Sequence, residues 1–123
     1  MRKTVLALCK EGSESWKVAF NNKDAAGCAQ QYTKDSVMTA KPIGVFEGIE
    51  DIQTCWQNII DQGFANVEYT NIKWEAAGDN GYILSSQWTM NKAFGVVHKE
   101  HWVIDHDGKA RMISDEFEIL GER

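Results

Sequence analysis

GVVHKEHWVI (95–104), DHDG (105–108) and KARMISDEFEIL (109–120) follow one another near the end of the sequence. Apolar and polar residues alternate with a period of two in both long pieces, and Asp107-Gly108 is a turn pair. The three pieces therefore read as a half-buried antiparallel hairpin. Strict alternation puts His98, Glu100, Trp102 and Ile104 on one face of the first strand, and Arg111, Ile113, Asp115, Phe117 and Ile119 on one face of the second. If those faces look the same way, two carboxyls stand among aromatic rings. That arrangement suits a pocket better than a sealed core.

Everything earlier in the chain is read by how it covers this hairpin. A length of 123 residues is enough for one domain with a real core. The net charge of −5 leaves no basic stripe to follow a phosphate backbone, so no nucleic acid is expected as a partner. No apolar run approaches a membrane span, so no membrane is expected either. Cys9, Cys28 and Cys55 are odd in number and widely spaced, with no CxxC pair. Neither a zinc site nor a disulfide framework is expected, and a reducing cytoplasm fits.

MRKTVLALCK (1–10) has the basic start of a secretory signal, but its apolar run is about half the usual length, and the large Leu8 stands where cleavage needs a small residue. Residues 1–12 therefore read as an N-terminal extension, packed on a single domain of residues 13–123 or on a partner subunit. Trp16, Ala19 and Phe20 form a helical stripe over about 13–22, with Ser13 as the candidate cap. Asp24 is placed to cap a second helix over about 24–32, with Ala25, Cys28, Ala29 and Tyr32 inside.

DSVMTAKPIGVFEG (35–48) reads as a strand and then an irregular loop at Pro42. Ile49, Ile52, Trp56, Ile59 and Ile60 give a third helix over about 49–62, and Glu50 and Asp51 suit the dipole of its first turn. ANVEYTNIKWEA (65–76) and YILSSQWTMN (82–91) complete a meander with the hairpin. Helices on one side of a curved, mainly antiparallel sheet make an α+β domain.

This order of elements, with FNNKDAAGCAQQYTKDSVM (20–38), FEGIEDIQTCW (46–56) and DHDGKARMISDEF (105–117), resembles the NTF2-like superfamily, which includes SnoaL-like proteins and ketosteroid isomerases. The resemblance implies a cone of three helices packed on a strongly curved, mainly antiparallel sheet. It also maps the isomerase pattern of an Asp base facing a Tyr and a protonated Asp. The hydroxyl donor's place falls at Trp16, the protonated acid's at Glu100, and the base's at Ala40 or Lys41. The acid is kept in kind, the donor is altered, and the carboxylate base is missing.

The candidate catalytic residues are thus Glu100, Asp115, His98 and Trp16, with Trp102, Phe117, Ile113, Met38, Tyr32 and Trp56 as candidate substrate-binding walls. Burial among rings would hold Glu100 protonated, and Asp115 would add like-charge pressure. Alternatively Arg111, His98 or Lys41 reaches Glu100 and makes it a structural anion. His98 is either a replacement base or a structural histidine. Arg111 with two acids is similar to the epoxide-hydrolase branch of the superfamily.

No motif implies a metal, nucleotide or flavin cofactor. Three functions remain open: a cofactor-independent isomerase, lyase or hydrolase acting on a small apolar molecule; a non-catalytic binder of such a molecule; and an association module. A homodimer through the sheet is expected. An open pocket favours the first two functions, and one plugged by Trp16 and Trp102 favours the third.

Overall fold

The computed structural model describes residues 3–123. Helix α1 (Val5–Asn21) is followed by α2 (Ala25–Ala29), strands β1 (Tyr32–Lys41) and β2 (Gly44–Glu47), α3 (Gly48–Asp61), and then β3 (Glu68–Ala76), β4 (Gly81–Thr89), β5 (Ala93–Ile104) and β6 (Ala110–Glu122). The six strands form one sheet in the order β2-β1-β6-β5-β4-β3. Every neighbouring pair is antiparallel except β1 with β6. The α+β expectation of three helices on a mainly antiparallel sheet holds.

The first helix begins eight residues earlier than its sequence pattern suggested. Thr4 caps it by accepting a hydrogen bond from the Ala7 N–H at 3.0 Å, so 5–12 form its first two turns. Cys9, Gly12, Ser13, Trp16 and Phe20 then form one buried stripe at helical spacing. Ser13 is an inward residue of this stripe and not a cap. Gly12 has a packing reason: a Cβ there would come within 2.5 Å of the Trp102 ring. Among the described residues no helix is long and apolar enough to cross a membrane.

Asp24 caps α2 as expected, accepting from the Gly27 N–H at 2.9 Å. Tyr32, however, opens β1 and does not close the helix, and 44–47 form a short strand against β1 where a loop was expected.

Two of the three register shifts between β5 and β6 decide which residues near the middle of the hairpin face inward. Val97 pairs with Phe117 and Lys99 with Glu116, so His98 is the extra residue of β5. Trp102 pairs with Met112 and His101 with Ser114, so Ile113 is the extra residue of β6. Each bulge breaks the alternation by one residue and bends the strand. Between them, Glu100 lies directly opposite Asp115. The helices cover that inner face, and the core of Phe20, Met38, Ile52, Leu84, Trp102 and Met112 fills the space between.

Candidate functional site

The inner face gathers two buried carboxyls from neighbouring strands, Glu100 of β5 (3% exposed) and Asp115 of β6 (5% exposed). Like charges directly opposite one another on a sheet are destabilising, and burial disfavours each charge further. Each acid is instead held by a tyrosine. The Tyr69 hydroxyl donates to Glu100 Oε2 at 2.6 Å, and the Tyr32 hydroxyl donates to Asp115 Oδ2 at 2.6 Å. The Trp102 Nε1–H donates to the other Glu100 oxygen at 2.9 Å, and the Trp56 Nε1–H backs the Tyr32 oxygen at 3.3 Å.

The two carboxyls are not equivalent. Burial pushes Glu100 above the usual carboxylate range, and the Tyr69, Trp102 and Ser13 donors and the Lys17 charge push back. Asp115 is raised well above its usual value by burial and then by the charge of Glu100, with only the Tyr32 hydroxyl opposing. The donors thus favour the charged form on Glu100 more than on Asp115. Burial and the adjacent acids also hold Tyr32 and Tyr69 well above the usual phenol range, so both stay donors.

None of the three cations considered as partners for Glu100 reaches it. Arg111 bonds Asp107 at 3.0 Å at the mouth of the turn, Lys41 bonds Glu116 at 3.1 Å, and His98 bonds Glu118 at 2.9 Å. The bulge turns His98 outward, which removes it as a replacement base on this face. Arg111 likewise does not complete an Arg-with-two-acids site. Ile113 is 37% exposed on the outer face, so it is no pocket wall.

Trp16, Trp56, Phe117, Glu100 and Asp115 do meet around a chamber of about 20 Å³, together with Tyr69, Trp88, Met90 and Val97. Trp102 lies beneath α1 outside that lining, anchoring Glu100. Tyr32 and Met38 stand behind Asp115, with the Tyr32 hydroxyl 3.7 Å from the Met38 sulfur. Ala40 and Lys41 supply no carboxylate: Ala40 is buried and Lys41 points to Glu116.

Trp56, Trp88, Met90 and Phe117 separate this chamber from an outer apolar cavity of about 340 Å³ that they also line, with Phe46, Ile59 and Phe64 on its far side. These rings interlock: Trp56 stacks on Phe117 at 5.4 Å, and Trp88 meets Phe117 edge-on at 6.5 Å. Cys55 lines the outer cavity, but burial and then the charge of Asp115 push its thiol up to about 11, so it is no thiolate at neutral pH. Tyr69, Trp88, Met90 and Ser13 were not among the sequence candidates. The alternation in VEYTNIKWEA and YILSSQWTM held the available signal for the first two.

No family model matches this chain, and no curated protein sequence matches it. Solved structures match its fold. A Nostoc punctiforme protein of unknown function with a cystatin-like fold superposes with a TM-score of 0.79 at 15% identity, covering 97% of this chain and 95% of that one. A ketosteroid isomerase-like protein from Erwinia carotovora atroseptica gives 0.79 at 13% identity, covering 94% and 96%. ActVI-ORFA from Streptomyces coelicolor gives 0.77 at 13% identity, covering 94% and 97%. At these identities the likeness is one of fold.

Proposed function

Starting from the NTF2-like fold that this chain shares with those structures, we propose that it is a cofactor-independent acid–base enzyme, an isomerase or lyase, acting on a small, mostly apolar molecule. One observation carries the reading: Glu100 and Asp115 face each other in an apolar setting, and their unequal sets of donors push their proton affinities apart. A pair of that kind supplies a base and an acid together near neutral pH. Glu100 takes the proton and Asp115 donates one, which exchanges the role first expected of Glu100. The outer cavity, at about 340 Å³, is at the small end of ligand sites and takes the apolar body of the substrate. We place the protein in the cytoplasm, a reading supported by three free, buried cysteines.

The small inner chamber favours a second reading, an association module with a residual pocket, because about 20 Å³ is room for a single water. One experiment separates the two. Small aromatic ketones and enones are incubated with the protein in D₂O, and exchange of their α-protons is followed by NMR. The enzyme reading expects exchange that falls at least about 100-fold in Glu100→Gln and in Asp115→Asn. Exchange at the buffer rate across the panel, with no ligand-induced shifts, overturns it and leaves the association module.

A further inference from the structure

We infer that Lys17 is a positioning residue of the acid–base pair, acting on Glu100 through the ring of Tyr69. The inference rests on the reading of Glu100 as the base. Tyr69 forms part of the wall of the inner chamber, and its two ends do different things. Its hydroxyl is inside, donating to Glu100 at 2.6 Å, while its ring lies under the Lys17 ammonium, 5.1 Å from the ring centroid. A cation over the face of a phenol withdraws electron density from the ring and its oxygen, which makes the O–H a stronger donor. A stronger donor favours the carboxylate form of its acceptor.

The placement follows from the first helix. Lys17 lies next to Trp16, which lines the chamber, and four residues after Ser13, whose hydroxyl supports the charged form of Glu100. Glu14 on the same helix pairs with the Lys17 ammonium at 3.0 Å and steadies it from the solvent side. Lys17 and Tyr69 share an outer groove with Glu14, Asn21 and Glu68, so the ammonium is reached from bulk water while Glu100 is not.

The groups that face Glu100 are Lys17 and Ser13 from α1, Tyr69 from β3, Trp102 from its own strand and Asp115 from β6, with Tyr32 of β1 behind Asp115. The charge of Glu100 raises the proton affinity of Asp115, and Lys17 favours the ionised form of Glu100. Lys17 thus helps make Glu100, and not Asp115, the first acid of the pair to ionise.

The test is a carboxyl titration by ¹³C NMR on protein labelled at glutamate, which needs no substrate. Lys17→Met should raise the apparent pKa of Glu100 by about half a unit, and Lys17→Arg should restore it. In a Tyr69→Phe background, adding Lys17→Met should move it much less, because the ring no longer carries a hydroxyl to Glu100. No shift in Lys17→Met, or the same shift with and without the Tyr69 hydroxyl, overturns the inference. Lys17 is partly solvent-exposed, so these variants are expected to fold. A titration linked as described but no exchange activity in any variant would count against the proposed reaction alone.

Discussion

Asp115→Asn tests the electrostatics of the site without any substrate. The amide keeps an oxygen to accept from Tyr32 and removes the ionisable group. Asp115 is 95% buried and raised well above its usual value, by burial and then by the facing Glu100. An acid whose folded pKa is raised contributes its full stability below its unfolded value of about 3.9, and that stability is lost as pH rises through the folded value. Each unit of upward shift corresponds to about 1.4 kcal/mol above the folded value. For a chain of 123 residues this is about 5 °C in melting temperature per unit.

The assay compares melting of the wild type and Asp115→Asn between about pH 4.5 and 8. The new amide N–H₂ needs a partner, which costs the variant about 1–3 kcal/mol at every pH. The slope is therefore the decisive quantity. Wild type should lose stability relative to the variant as pH rises. The more accessible acids Asp105, Asp107 and Glu116 have lowered values and act with the opposite sign, but both proteins share them. A wild-type advantage that is constant with pH, or that grows as pH rises, refutes the account of a neutral buried acid.

Gly12→Ala places a Cβ 2.5 Å from the Trp102 ring. Overpacking of about 1–3 kcal/mol should exceed the gain of about 1 kcal/mol in helix propensity, so the urea midpoint should fall; an unchanged or higher midpoint would show that α1 does not rest on Trp102. We also propose that two copies pair through the outer sheet face, where Val37 and Ile113 are 38% and 37% exposed. Light scattering should then give twice 13.9 kDa and Ile113→Lys should halve it, whereas 13.9 kDa for the wild type at high micromolar concentration would sink the pairing.

The hairpin was legible in the sequence because alternation and a turn pair are local signals, and they placed Glu100, Asp115 and Phe117 together on the inner face. The same rule misplaced His98 and Ile113, since a bulge adds one residue to a strand without changing its composition. Tyr32 was read as helical because 25, 28, 29 and 32 fit the helical period, but α2 stops at Ala29 and the tyrosine starts β1. The start of α1 was hidden in a run of apolar residues, and the cap at Thr4 marks it.

The least legible property was which of the two acids is better supplied with donors. Alternation finds both acids but says nothing about their donors, which come from elements far apart in the chain. Ser13 and Lys17 arrive from α1, Tyr69 arrives from β3, and Trp102 is turned back along β5; all four favour the charge on Glu100. Asp115 has the Tyr32 hydroxyl alone and the Glu100 charge against it. Replacing Tyr69 by Phe should therefore narrow the difference between the two acids, and replacing Tyr32 by Phe should widen it. Measured in one carboxyl titration, those opposite changes would show that the protein sets acid against base by tertiary placement of hydroxyls on two nearly identical side chains.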